Sequence, residues 1–150
     1  MANERKIDAG FFDSNLNIKR KQVNSNIAAR IFALLILAVI LFQMALAAGM
    51  PWGAIAWGGA YPGQLPANMR FASVLSALLL LVIALVVLTR AGLVLHKWQP
   101  VSRRLIWAVV VYSLLGVVAN AITPSLWERI IWLPVAIMLL VCSAVVATRN

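Results

Sequence analysis

The chain has 150 residues, of which 63% are hydrophobic and 11% are charged, and its formal net charge is +9. Soluble domains are about 45–50% apolar and about 25% charged, so a soluble fold of this composition would expose too much apolar surface to stay monomeric. In a soluble protein the charge would suggest nucleic acid, but here Lys and Arg crowd the ends of long apolar runs. We therefore predict a protein of the lipid bilayer with no nucleic-acid partner.

Residues that carry catalysis or bind metals are sparse. The single cysteine, Cys142, lies inside the last apolar run and excludes an internal disulfide, and the single histidine, His96, lies in a short connection. No His, Cys or carboxylate cluster has metal-ligand spacing, and no phosphate loop or catalytic motif is present. We expect a protein that is not an enzyme and that carries no metal or cofactor.

Residues 1–27 form a polar tail that precedes the membrane domain, residues 28–150. The tail has little apolar surface to bury, so we expect it to be mobile or to lie on the membrane surface. Its only apolar cluster, which could dock on the bilayer or on a partner, is Phe11, Phe12, Leu16 and Ile18.

Four apolar runs follow the tail, at residues 31–49, 71–89, 105–122 and 126–148. Because a helix rises about 1.5 Å per residue, each run can cross a hydrocarbon core of about 30 Å. A cleaved signal peptide is the alternative for the first run, since Ala45–Ala47 reads A-x-A, but the preceding tail is far longer than a usual n-region. The sequence thus predicts an all-α membrane protein, a bundle of four transmembrane helices.

The distribution of Lys and Arg predicts the orientation of the spans. Basic residues concentrate before the first span, between the second and third spans, and at the end of the chain, whereas the opposite side has only Arg70 and Arg129. Short loops rich in Lys and Arg stay in the cytoplasm, so both termini should be cytoplasmic. The connection between spans two and three should form a basic collar that attracts anionic lipid, made of Arg90, His96, Lys97, Arg103 and Arg104.

The six tryptophans fall near the predicted membrane boundaries. An indole ring suits acyl chains and its N–H suits headgroups, so the simplest interpretation is interfacial anchoring. Four lie near the outer boundary, Trp52, Trp57, Trp127 and Trp132, and two near the inner one, Trp98 and Trp107.

The outer loop, residues 49–70, is uncharged until its last residue and rich in Gly, Pro and Trp. Loops of this length are usually functional or disordered, and this composition favours a loop that folds onto the helix ends as a plug, a lid or a docking surface. Adjacent glycines let backbone approach closely. The candidate site residues of the loop are Trp52, Trp57, Gly58 and Gly59.

Five polar residues converge on the outer side of the bilayer and form a candidate site: Gln43, Arg70, Asn120, Glu128 and Arg129. Glu128 opens the fourth span three residues after Ser125, which can cap the helix. Its better ion-pair partner is Arg70, because residues i and i+1 point apart on a helix. A cap, a salt bridge and inter-helix amide bonds explain these residues structurally. The functional alternative is a small outward-facing pocket roofed by the loop.

The motifs PWGAIAWGG, PGQLP, RFAS, RAG and WERIIWLP resemble those of a group of small bacterial four-helix membrane proteins. The resemblance covers residues 49–147 and implies location in the bacterial inner membrane, without implying an activity. Its motif positions are Trp52, Trp57, Gly58, Gly59, Arg70, Glu128, Arg129 and Trp132. Small multidrug-resistance transporters are of similar size, but they use a glutamate in the first span, where this chain has Gln43.

Two functions fit these observations. The first is a non-enzymatic integral membrane protein that self-associates or serves as an accessory subunit of a membrane complex. The alternative is a small transporter or channel whose outward-facing polar site lies under the Gly/Trp loop.

Overall fold

The structure, a computed structural model, describes residues 2–149 and gives side chains for residues 16–149. Within this part of the chain there is no strand, and four helices follow one another: α1 (Ala2–Ala48), α2 (Ala67–Arg90), α3 (Gln99–Ile122) and α4 (Leu126–Ala147). Each is long and apolar enough to cross a membrane, α1 through its segment Leu16–Ala48. The predicted all-α bundle of four membrane helices is confirmed.

Helix α1 is much longer than the predicted first span. Its 47 residues correspond to about 70 Å at 1.5 Å per residue. The tail, which we expected to be mobile or to lie on the membrane surface, is helical from Ala2 onward, and the side chains of Phe11 and Phe12 lie outside the described residues. The chain has no proline before Pro51, so nothing stops a helix nucleated in the membrane from extending toward the N-terminus at small cost.

Helix α3 begins six residues before the predicted third span. Pro100 lies in the first turn of α3. A proline is tolerated there because its missing N–H would have no partner within the helix. Arg103 and Arg104 therefore belong to α3, and the connection from α2 shortens to residues 91–98.

The helices form a closed ring in which α1 packs along α2 and α4, and α3 packs along α4 and α2. Bundle contacts on α1 begin at Ser25, which is fully buried like Ala29, whereas every side chain from Leu16 to Lys21 is exposed. The core includes Phe32, Ile36, Leu80, Ile83, Val87, Ile106, Val109, Cys142 and Val146.

Aliphatic side chains also cover the outside of the bundle. Leu34, Leu78, Val118 and Ile137, one from each helix, are all more than 40% exposed. In water such a surface would aggregate, whereas in a bilayer it meets acyl chains of the same polarity. The chain is a multi-pass integral membrane protein on these grounds.

The bundle has two ends that differ in chemistry. The loop end carries residues 49–66, between α1 and α2, and residues 123–125, between α3 and α4. The basic end carries the α2–α3 connection together with Arg90, Arg103 and Arg149.

Candidate functional site

The loop closes on itself through glycine. Two short 3₁₀ turns, Gly53–Ile55 and Trp57–Gly59, are its only regular elements among the described residues. The amide of Gly53 donates to the carbonyl of Gly63 at 3.0 Å. A Cβ at Gly53 would lie 1.9 Å from the carbonyl oxygen of Tyr61. Only glycine fits there, because the two arms of the loop cross at backbone contact.

The tip of the loop is a left-handed turn. Trp57, Gly58 and Gly59 have φ values of 54°, 71° and 72°. Glycine adopts such values freely, whereas a bulky residue such as Trp57 is strained there by roughly 1–3 kcal/mol. A Cβ at Gly59 would lie 3.1 Å from the Cβ of Ser125, so this turn presses closely on the start of α4.

Hydrogen bonds attach the loop to α4. Ser125 Oγ donates to the carbonyl of Ala54 at 2.9 Å, and the Trp132 indole N–H donates to the carbonyl of Ile55 at 2.8 Å. The loop thus folds onto the helix ends, as its composition indicated. Trp132 uses its N–H within the protein, so our interpretation of that indole as a headgroup anchor was wrong.

Aromatic and aliphatic contacts attach the loop to α1. Phe42 stacks on Trp52 with ring centroids 6.1 Å apart, and it meets Trp132 at 4.6 Å with the rings tilted by 52°. Beside them, Leu46, Ala56 and Leu65 form a small buried cluster. The aromatic stack and this cluster hold the loop between α1 and α4.

A cavity of about 290 Å³ lies beneath the loop, between the four helices. Its roof is the backbone turn at Ile55, Ala56 and Trp57, and its deep wall includes Phe32, Ile36, Leu80, Ile83 and Leu139. The wall is mostly apolar. The polar residues that line it are Gln43, Ser76, Tyr112, Ser113, Asn120 and Glu128.

Three of the five residues predicted as an outer polar cluster therefore meet at this cavity: Gln43, Asn120 and Glu128. The other two, Arg70 and Arg129, are not among the lining residues. Arg70 Nε donates to the carbonyl of Ala47 at 2.7 Å, and Arg129 Nη2 donates to the carbonyl of Thr123 at 2.7 Å. Each arginine thus satisfies a carbonyl at or just beyond the C-terminal end of a helix, where cations are favoured.

The expected ion pair between Arg70 and Glu128 is not formed in the part of the chain that the structure describes. Glu128 Oε2 instead accepts a hydrogen bond from the Thr123 hydroxyl at 2.8 Å. The Glu128 amide donates to Ser125 Oγ at 3.3 Å, so Ser125 is the N-cap of α4, as predicted. Arg70 donates to the carbonyl of Ala47 instead.

The two membrane amides do not bridge neighbouring helices as we expected. Asn120 Nδ2 donates to the carbonyl of Gly116, one turn back on α3, at 2.8 Å. Gln43 Oε1 is buried with no hydrogen-bond partner among the described residues. A buried acceptor of this kind costs about 1–3 kcal/mol, which a water or ligand donor would recover.

Helical spacing could have revealed more of the cavity from the sequence. The cavity-lining residues of α3 recur every four positions, at Tyr112, Gly116 and Asn120. On α4 the lining residues Glu128 and Trp132 have the same spacing. Small and polar residues at i and i+4 share a helix face. We missed Tyr112 and Ser113 because neither differs in type from an ordinary membrane-span residue.

Comparison of the chain with protein-family models, with curated proteins and with solved structures found no match. The function is therefore inferred from the geometry of the cavity and of the two ends of the bundle.

Proposed function

We propose that this chain is a non-enzymatic integral membrane protein that binds a small amphipathic amine in the cavity under the loop. The cavity itself carries the proposal. Ligand sites are typically concave, mostly apolar and lined by a few polar groups that fix orientation. Here the polar groups Gln43 and Glu128 lie toward the loop, and Phe32 and Ile36 lie deeper in the bundle.

The carboxylate of Glu128 indicates which polar group the ligand carries. Its carboxylate has no cation within 4 Å among the described residues and accepts only the Thr123 hydroxyl there. A carboxylate in an apolar setting is stabilised by a hydrogen-bonded cation. An ammonium group satisfies Glu128, and a further N–H would suit the unpartnered oxygen of Gln43.

The dimensions of the cavity limit the size of the ligand. A volume of 290 Å³ corresponds to roughly ten water molecules at about 30 Å³ each. It suits a short alkyl or aromatic amine.

The packing below the cavity favours binding over conduction. Toward the basic end, all four helices contribute buried apolar side chains, with Ala29, Val87, Ile106 and Val146 essentially inaccessible. Such a layer blocks ion passage in this conformation. A transporter that used the same site would therefore have to repack this layer.

For the membrane orientation we propose that the loop end faces outward and the basic end faces the cytoplasm of a bacterium. The support is the distribution of Lys and Arg, which concentrates on one side of the four helices. With an even number of spans, both termini then lie in the cytoplasm.

Replacing Gly116 with leucine tests whether the ligand binds in the cavity. Gly116 lines it, and a Cβ there meets no heavy atom within 4 Å. Gly116→Leu should occupy the cavity while favouring the helix. Hexylamine binding, measured by titration calorimetry in nanodiscs with protein-free discs subtracted, should be lost. The control Val118→Leu alters an exposed side chain of the same helix and should bind normally. Equal binding by Gly116→Leu would contradict the proposal.

Replacing the carboxylate tests the choice of an amine. Glu128→Gln keeps the shape and removes the charge, so the preference for hexylamine over hexanol should fall roughly tenfold, the usual weight of a charge-assisted hydrogen bond. Hexanol binding should change little. If wild type shows no preference between the two probes, the site does not recognise amines.

Helix α1 favours a second candidate function, assembly with another membrane protein or with a second copy. The helix extends beyond the bundle at the basic end, and Leu16, Ile18 and Val23 on this segment, with Ile27 just inside the bundle, are each about half exposed or more. Native mass spectrometry of protein extracted in mild detergent from its own host should show a stoichiometric complex. The complex should dissociate in the variant Val23→Asn/Ile27→Asn, and a wild-type monomer would exclude this candidate.

A further inference from the structure

We infer a binding site for a phosphate group at the basic end, formed by Arg90, Arg103 and Arg149 with the amide of Gln99. The inference is independent of the amine site, which lies at the opposite end of the bundle. It rests on the placement of three guanidinium groups, on the charge distribution of the whole chain, and on the approach of two donor groups to Gly92.

Backbone carbonyls hold two of the arginines side by side. Arg90, the last residue of α2, donates through Nη2 to the carbonyl of Arg149. Arg149 follows α4 and donates through Nη1 to the carbonyls of Arg90, at 3.2 Å, and of Ala91, at 2.5 Å. The two positive charges are therefore fixed together by the ends of α2 and α4, without a carboxylate between them.

Arg103, on the first turns of α3, lies near enough for its positive charge to act on the other two arginines. Burial, and then the positive charge of Arg103, lower the pKa of the Arg149 guanidinium from its ordinary value. Like charges repel more strongly as water is excluded. The carbonyls at the ends of α2 and α4 offset part of this repulsion, and an anion that joined the arginines would offset more of it.

Among residues 16–149, whose side chains the structure describes, the only carboxylate is that of Glu128, which lies at the loop end. Arg90 Nε is buried and has no hydrogen-bond partner among the described residues. An oxyanion from outside the bundle is the chemically matching partner, because guanidinium groups bind phosphate oxygens in pairs.

Gly92 shapes the site. Its φ is 77°, and a Cβ there would lie 2.9 Å from Gln99 Nε2 and 3.7 Å from Arg149 Nη1. An amide nitrogen and a guanidinium nitrogen therefore both approach the bare backbone of Gly92. The ligand is a phosphate monoester or diester, and its two sources are the headgroup of an anionic phospholipid and a free phosphate.

The test uses the full chain in nanodiscs made of phosphatidylcholine with phosphatidylglycerol, and native mass spectrometry to count retained phosphatidylglycerol. Arg103→Gln removes one charge from an exposed side chain, and bound lipid should fall roughly tenfold, as expected for losing a charge-assisted hydrogen bond. The matched control is Arg104→Gln, an adjacent exposed arginine that should retain the lipid. Gln99→Ala keeps every charge and should also weaken retention.

Competition with inorganic phosphate at 10 mM distinguishes the sources. If phosphate displaces phosphatidylglycerol, the site takes free phosphate as well; if retention is unchanged, the occupant is the lipid headgroup. Either result supports an anion site. Equal loss in Arg103→Gln and Arg104→Gln would show diffuse attraction to the basic end and overturn the inference, as would full retention in both Arg103→Gln and Gln99→Ala.

Discussion

Trp132 connects the membrane helices to the loop through both parts of its side chain. Its ring packs against Phe42 of α1, and its N–H donates to Ile55 in the roof of the cavity. The sequence places a tryptophan at the correct depth but contains no signal for which carbonyl the indole would find. Ser125 was predictable as a cap because its partner lies three residues away, whereas Ile55 lies 77 residues away.

We expect Trp132→Phe to loosen the loop while the bundle stays folded. The phenyl ring retains most of the contact with Phe42, but the carbonyl of Ile55 loses its donor, at a cost of about 1 kcal/mol. Hydrogen exchange followed by mass spectrometry should show faster exchange in residues 53–60. The control is Trp127→Phe, at a side chain 64% exposed on the same helix. Unchanged exchange in Trp132→Phe would show that the indole hydrogen bond does not hold the loop.

At the scale of elements, helix type and number were predictable, and the element boundaries were less so. Long apolar runs identify the four helices because only a helix satisfies its own backbone in lipid. Helix α1 begins at Ala2 and α3 begins at Gln99. Both starts lie in polar sequence, where hydrophobicity does not indicate a helix boundary. The folded loop was indicated by its glycines and tryptophans, but its contacts depend on the positions of α1 and α4.

The loop as an element depends on Gly53 more than on Gly63. Gly53→Ala should displace the loop, because its Cβ would meet the backbone of Tyr61 at 1.9 Å. Gly63→Ala meets no atom within 4 Å and bears only the strain of its φ of 97°, about 1 kcal/mol. The two variants are compared by their affinity for hexylamine and by the rate of hydrogen exchange in residues 53–60. A Gly63→Ala variant as impaired as Gly53→Ala would show that backbone strain, not the close approach, controls the loop.

At the scale of the whole molecule, the sequence predicted the four-helix architecture. Of the five polar residues that it predicted to converge, three meet at one cavity in the structure. The sequence did not predict the hydrogen-bond partners of Arg70 and Arg129, since a carboxylate and a backbone carbonyl compete for the same guanidinium. The outcome of that competition depends on distances set by helix packing. The orientation of the bundle in the membrane stays a prediction from charge.

Cysteine labelling tests that orientation. In a Cys142→Ala background, Gln64→Cys places a thiol on the exposed part of the loop and Lys97→Cys places one at the exposed basic end. A membrane-impermeant maleimide applied to spheroplasts should label position 64, and should label position 97 only after lysis. The reverse pattern would invert the proposed topology. Labelling of both positions in intact spheroplasts would mean that the chain inserts in two orientations.

The hydrogen bonds from the loop to α4 form late in biosynthesis, because their partners lie far apart in the sequence. Ala54 and Ile55 leave the ribosome 71 and 77 residues before Ser125 and Trp132, the residues that bind them. At about 5–20 residues per second, that interval is about 4–15 s. During it the nascent loop has no surface on α4 to bind. The cavity thus cannot form before α4 has been made, and a chain that stalls before α4 would expose two tryptophans and an open loop at the membrane surface.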